Sequence, residues 1–195
     1  GGLSSWFGCR CERRGGHAKA FAALDQTLGG LSILVCNAAI QPYGTVETTQ
    51  PAAWDKVIVV NLRVAYWACH HTVKRVKNAP DPGGLIVLVT SVQGSATQER
   101  VAAYTTSKGG MLALARARAK DHAKDGIRAN AVSPGCIEAP MTYVVAHENA
   151  QPGEERVMIE SWGNMWPLGR VGQPEEVAEM IAFLASDKAS FCTGA

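Results

Sequence analysis

No stretch of the 195 residues reaches the ~20 consecutive apolar positions that a bilayer span requires. The longest apolar run, Leu85-Ile-Val-Leu-Val89, has the length of a buried strand. The first residues, Gly1-Gly2-Leu3-Ser4-Ser5, lack the charged start and long apolar stretch of a signal peptide. Charge of one sign is also lacking: nineteen Lys and Arg against seventeen Asp and Glu leave +2. A nucleic-acid binder normally carries a basic stripe, so that class is disfavoured, as is a membrane partner. Paired cysteines are scarce. Cys36, Cys69, Cys136 and Cys192 stand singly in apolar segments, and only Cys9 and Cys11 are close. A Cys-x-Cys without a second pair is a poor ligand set, so free thiols in a reducing cytosol are expected, with no metal. His70 and His71 are adjacent and point to different sides of a helix, so they cannot form an i, i+4 metal pair.

What is present reads as one α/β domain over residues 1–195. Hydrophobic residues make up 47%, enough for a sizeable core. Three short runs read as strands: Ile33–Cys36, Leu85–Thr90 and Ile127–Val132. The first two are continuous β-type runs, as in strands covered on both faces. Between them lie helical patterns. One starts at Pro51 and reaches about Lys77, with Trp54, Val57, Ile58, Leu62 and Ala65 at helical spacing. Another runs from about Val101 to Lys124 and stops at Gly126, and a third begins at Pro174. A helix around Ala18–Leu28 precedes the first strand. This alternation predicts a doubly wound, Rossmann-like parallel sheet. Residues 141–170 show no steady period and read as a long excursion, of the kind that often covers a ligand site.

The chemistry centres on Ser91, Tyr104 and Lys108. Tyr104 and Lys108 are four apart near the start of a helix, so their side chains share a face. A phenol titrates near 10, and an ammonium beside it favours the phenolate, moving it toward acid/base work. Ser91 closes the second strand, where ligands bind in open α/β sheets. Tyr-x-x-x-Lys alone is a weak signal; a serine thirteen residues upstream at a strand end sharpens it.

Tyr104-Thr-Thr-Ser-Lys108 with Ser91 resembles the active-site pattern of the short-chain dehydrogenases/reductases. Further segments resemble that family in order and spacing. Cys36-Asn37-Ala38-Ala39 stands where the family has Asn-Asn-Ala-Gly. Asn61 stands at the family's helical asparagine, Ser133-Pro134-Gly135-Cys136-Ile137 at its Pro-Gly segment, and Pro167–Pro174 at the approach to its last long helix. The resemblance covers about residues 20–195 and implies an oxidoreductase that uses NAD or NADP on a small carbonyl or alcohol substrate. Tyr104 would be the general acid/base, Ser91 would stabilise the carbonyl oxygen, and Lys108 would hold the nicotinamide ribose and lower the tyrosine pKa. Asn61 would position a relay water. Asn37, Ala38 and Ala39 would lie against the cofactor, with Pro134, Gly135 and the Ile137 backbone at its carboxamide.

Departures from the pattern are Cys36 for asparagine, Ala39 for glycine and Ala139 for a frequent threonine. Ala39 is tolerated only if that backbone needs no positive φ. The family's glycine-rich phosphate loop has no counterpart, and residues 1–16 match nothing in the pattern. A fragment is therefore expected, truncated at the N-terminal βαβ half and at the last strand, with Ile33–Cys36 as an exposed sheet edge. The resemblance is to 3-oxoacyl-acyl-carrier-protein reductases, glucose dehydrogenases and related alcohol dehydrogenases. It also implies a homodimer or homotetramer built on the helices at 51–77 and 101–124. Gln93–Gln98 and the excursion's Tyr143, Trp162, Met165 and Trp166 would select the substrate. A non-catalytic scaffold of the same fold is the alternative.

Overall fold

The computed structural model describes residues 16–80 and 82–195. The Cys9/Cys11 pair and nearly all of the segment 1–16 lie outside the described residues. Three parallel strands form the sheet: β1 Ile33–Cys36, β2 Gly84–Val89 and β3 Ile127–Val132, in the order β1-β2-β3. Ile33 is level with Leu85, and Leu85 with Arg128. Parallel neighbours need long crossovers, and helices supply them.

Seven α-helices surround the strands among the described residues: α1 Gly16–Leu28, α2 Pro51–Val57, α3 Val64–Lys77, α4 Ala102–His122, α5 Pro140–Asn149, α6 Glu155–Asn164 and α7 Pro174–Leu184. Pro51 and Pro174 occupy the first turns of α2 and α7, where a missing N–H costs nothing. A π-helical turn, Ile58–Arg63, joins α2 to α3 without a break in direction. Gly126 ends the α4 region with φ 73°, the left-handed conformation that favours glycine.

The strand period of two divides the core. Ile86 and Leu88 of β2 face one way, into a cluster with Val76 of α3 and Met111 and Ala115 of α4. Leu85 and Val87 face the other way, against Leu184 and Ile181 of α7. Helices thus cover both faces of a parallel sheet, the doubly wound arrangement predicted from the sequence. Ile86, Val87 and Leu88 are fully buried, each contributing roughly 1.5–3 kcal/mol, so β2 is a rigid base for the residues that follow it. β1 is different. It is an edge strand of the described sheet, and Ile33 and Val35 are 47% and 41% exposed. On the opposite edge the last residues run beside β3, with Gly194 N–H donating to Ala129 and Ala131 N–H to Ala195.

The excursion at 141–170 is mostly helical, which its sequence does not announce. α5 and α6 pack on each other and account for most of it.

Candidate active site

Each candidate side chain is fixed by a different element, and all meet beyond the carboxyl ends of the strands. Ser91 lies two residues past the end of β2, is 7% exposed, and accepts a hydrogen bond from Gln93 N–H at 3.2 Å. That bond caps a 3-10 turn, Val92–Gly94, which lies against α4. A Cβ on Gly94 would come within 2.9 Å of the Lys108 carbonyl carbon, so only glycine lets this turn sit so close. Tyr104 and Lys108 lie on the first turns of α4, 6% and 2% exposed. The Lys108 ammonium donates to the Val89 carbonyl at 2.7 Å and lies 5.5 Å from the centroid of the Tyr104 ring.

Asn61 sits in the π-helical turn, a local widening that often marks functional positions. Both N–H donors of its side-chain amide, and one lone pair of its oxygen, are engaged by the protein. Oδ1 accepts from Ile40 N–H at 2.9 Å, while Nδ2 donates to the Ile40 carbonyl and to Ser107 Oγ, both at 3.0 Å. Asn61 therefore ties the loop after β1 to the helix turn that carries Lys108. In that loop Asn37 and Ala38 are exposed and Ala39 is half-buried. Ala39 does not adopt a positive φ, so alanine is tolerated where relatives carry glycine; Arg100, at φ 61°, is the one non-glycine residue that does among those described.

The β3 end joins the same rim. Val92 N–H donates to the Pro134 carbonyl at 3.1 Å, and Thr90 Oγ1 reaches Ser133 Oγ at 2.7 Å. Gly135 is exposed on one side and faces the Trp166 indole on the other, where a Cβ would lie 3.1 Å from the ring carbons. Ile137 bridges to Gly172, and its carbonyl accepts from Thr142. Thus the loops after all three strands converge with α4 at one open rim.

The electrostatics correct one expectation. Burial pushes the Tyr104 phenol above its ordinary value, and interaction with the Ser91 hydroxyl pulls it partly back. The lysine-driven lowering read from the sequence does not appear. Lys108 turns its ammonium to the Val89 carbonyl, and desolvation of the phenol is the dominant influence. Lys108 itself is pushed down to about 8, again chiefly by burial.

Sequence reasoning missed Glu138, and no motif marks it. Its carboxylate accepts from Tyr143 Oη at 2.5 Å, Arg156 Nη1 at 3.0 Å and Gln173 Nε2 at 3.0 Å, joining α5, α6 and the start of α7. Tyr43 was missed as well; it joins the Gln93–Gln98 segment, which the sequence did mark, in a polar ring beside Ser91. Gln93 and Gln98 bond each other twice, and Gln98 Nε2 donates to Tyr43 Oη at 2.9 Å.

A family model described as enoyl-(acyl carrier protein) reductase matches residues 5–195. The chain belongs to the short-chain dehydrogenase/reductase family. It is 37% identical over 169 residues to an uncharacterized oxidoreductase of Thermotoga maritima, covering 87% of this chain and 65% of that one. It is also 37% identical over 171 residues to a cyclohexanol dehydrogenase of an Acinetobacter strain, covering 86% of this chain and 62% of that one. The solved structure of Thermoplasma acidophilum aldohexose dehydrogenase, in ligand-free form, superposes with a TM-score of 0.90 at 32% identity. That match covers 99% of this chain and 76% of the other. The chain thus spans about two thirds of the length of the two curated relatives named here. As in other short-chain dehydrogenases/reductases, the parallel sheet carries helices on both faces.

The residues present fit the nicotinamide end of the dinucleotide that dehydrogenases of this family use. Lys108 has three donors and spends one on Val89, leaving two at a buried position. The Trp166 indole N–H, beside Gly135, is buried without a partner among the described residues.

Proposed function

We propose that this chain carries the reaction centre of an NAD(P)-dependent oxidoreductase that interconverts a carbonyl compound and a secondary alcohol. One observation carries the reading: Ser91, Tyr104 and Lys108 are buried together where the strand ends open. A buried phenol, serine hydroxyl and ammonium have no packing advantage over apolar residues, and function is the economical reason to place them there. When bound, NAD(P) supplies or accepts the hydride. Tyr104 gives its proton to the carbonyl oxygen in reduction and takes it from the alcohol in oxidation. Ser91 donates to the same oxygen and stabilises its developing charge. Lys108 offers its two free donors to the ribose hydroxyls.

Asn61 is a positioning residue in this scheme, since both donors of its amide are already spent on Ile40 and Ser107. Asn37, Ala38, Ala39, Pro134, Gly135 and Ile137 line the cofactor side. Gln93–Gln98, with Tyr143, Trp162, Met165 and Trp166, select the substrate. No helix among the described residues is long and apolar enough to cross a membrane, and a cytoplasmic enzyme acting as a homodimer or homotetramer completes the proposal.

The test is Tyr104→Phe, assayed by NAD(P)H absorbance against a panel of secondary alcohols and ketones. Loss of about 10²–10⁴-fold in rate, with an unchanged circular dichroism spectrum, is expected. Equal turnover by both proteins would take the acid/base role from Tyr104, and no turnover by either with any substrate favours the non-catalytic scaffold.

A further inference from the structure

Tyr43 lies in the loop after β1, half-buried, and three contacts fix it at the mouth of the reaction centre. The backbone on either side of Gly44 is bridged to the segment that leads into α4: Gly44 N–H donates to the Arg100 carbonyl at 2.7 Å, and Ala102 N–H to the Gly44 carbonyl at 3.3 Å. The Arg100 guanidinium carbon lies 5.9 Å from the centroid of the Tyr43 ring. Gln98 Nε2 donates to the Tyr43 hydroxyl at 2.9 Å. Arg100 adopts φ 61°, a left-handed backbone that a residue with a side chain takes only at a cost. That turn brings the chain from Gln98 back into the bridge, two residues before Tyr104. Burial raises the phenol's pKa most, Gln98 and Arg100 pull it down, and the Cys136 thiol of the loop after β3 raises it again. The hydroxyl thus lies among the loops that follow all three strands.

The direction of each hydrogen in this ring is forced. A backbone N–H can only donate, and that of Gln98 gives to Gln93 Oε1 at 2.7 Å, so the Gln93 amide cannot be turned over. Gln93 Nε2 then gives to Gln98 Oε1 at 2.9 Å, which fixes the second amide. Gln98 Nε2 is left to give to the Tyr43 oxygen. With an N–H already on its oxygen, Tyr43 directs its own hydrogen elsewhere, and no acceptor among the described residues takes it. Gln93 is also the residue whose backbone N–H holds Ser91 Oγ, so this chain of bonds begins at the reaction centre and ends on a free phenolic O–H.

We propose that Tyr43 determines specificity by donating its O–H to a second oxygen of the substrate, so that the preferred compounds are ketones, and the matching alcohols, with an acceptor oxygen near the reacting carbon. The inference rests on the dehydrogenase reading of Ser91, Tyr104 and Lys108. A committed donor gains a hydrogen bond from an oxygen at that place and none from a methylene. Gln98 is a positioning residue, because it acts by orienting the phenol.

Two isosteric pairs isolate the acceptor: methoxyacetone against 2-pentanone, and 4-methoxy-2-butanone against 2-hexanone, in which an ether oxygen replaces one methylene. Turnover is followed by NAD(P)H absorbance, and binding, with and without NAD(P)H, by saturation-transfer NMR. In at least one pair the parent prefers the ether, and Tyr43→Phe lowers the ether-to-methylene ratio of kcat/KM about tenfold. Gln98→Glu lowers it too, because a carboxylate accepts from the phenol and draws its hydrogen away from the substrate. General damage to the fold lowers both members of a pair alike and leaves the ratio where it was. A parent without preference for the ether in either pair, or a Tyr43→Phe protein with the parent's ratio, overturns the proposal and leaves the dehydrogenase activity standing. Should Tyr43→Phe not fold, Gln98→Glu decides. If the parent turns over none of the four yet binds the ethers preferentially, and both variants lose that preference, the role of Tyr43 stands and the dehydrogenase activity falls. Neither turnover nor binding of any of the four overturns both.

Discussion

Lys108 donates to the carbonyl of Val89 at 2.7 Å, so the strand that delivers Ser91 also holds the lysine. Two residues that are far apart in sequence are thereby fixed to one rigid base, since β2 is the most deeply buried strand. The phenol between them is set by its surroundings rather than by the lysine charge. The protein thus presents a neutral, desolvated Tyr104 beside a cation that is itself strained by burial.

That strain is measurable as a pH dependence of stability. Lys108 titrates near 8 in the folded chain and near its ordinary 10.5 when unfolded. Between those values the unfolded state holds more protons, so stability rises with pH across this window. Below pH 8 the full burial cost applies, and above 10.5 it is gone. The difference in unfolding free energy between the parent and Lys108→Met, from urea titrations, should grow by on the order of 3 kcal/mol from pH 7.5 to 10.5. Tyr104, whose folded value is raised, loses stability above its unfolded value near 10, but it does so in both proteins. A difference that stays flat with pH would mean that Lys108 is not desolvated.

Asn61 supplies a second test, because its three hydrogen bonds all go to the protein. Asn61→Ala leaves the Ile40 N–H and carbonyl unpaired and should cost about 2–3 kcal/mol in urea unfolding. Asn61→Asp should do no better, since it sets a carboxylate oxygen against the Ile40 carbonyl. Amide exchange at Ile40 should accelerate in both. A loss within about 0.5 kcal/mol would return Asn61 to the water-relay role that the resemblance implies.

The legible parts of the sequence were those with a strong local period or a constrained residue. β1, β2 and β3 were visible as short apolar runs, and Pro51, Gly126 and Pro174 marked helix ends through their backbone restrictions. Ser91, Tyr104 and Lys108 were visible because their spacing places a strand end over one helix face. The tyrosine's electrostatics were not, because they depend on where Lys108 Nζ turns. α5 and α6 were hidden because neither buries a continuous apolar stripe: Val144 and Val157 are exposed, and the helices are held partly by Glu138. Asn61 was visible as a residue, but its partners lie 21 and 46 positions away.

Gly94 tests how closely the site depends on backbone approach. A Cβ there would lie 2.9 Å from the Lys108 carbonyl carbon and 2.9 Å from Leu112 Cδ1. Leucine can rotate, whereas the helix backbone cannot. Gly94→Ala should therefore push the Val92–Gly94 turn off α4 and separate Ser91 from Tyr104. A displacement near 1 Å costs about 10²-fold in rate, measured as kcat/KM for whichever alcohol the parent turns over. Gly153→Ala is a useful contrast: it is strained by its φ of 87° but lies in open space, so it should lower stability and leave the rate alone. Full activity in Gly94→Ala would show that the turn can move without disturbing the reaction.

Glu138 makes the covering helices sensitive to acid. Its carboxyl is held below the usual carboxylate range, first by the Tyr143 hydroxyl and then by Gln173, with Arg156 adding a salt bridge. A lowered carboxyl contributes its stabilisation above the unfolded value, near 4.5, and loses it as pH falls through the lower folded value. The bonds are near the surface, so the effect should be local. Amide exchange in residues 140–164, corrected for intrinsic rates, should speed up about fivefold between pH 6 and pH 3, while β2 amides change far less. Glu138→Gln keeps a carbonyl acceptor but removes the charge and the titration. It should show the faster exchange already at pH 6 and little further change in acid. If the two proteins exchange alike at both pH values, α5 and α6 are held by their packing on each other, and Glu138 is a bystander.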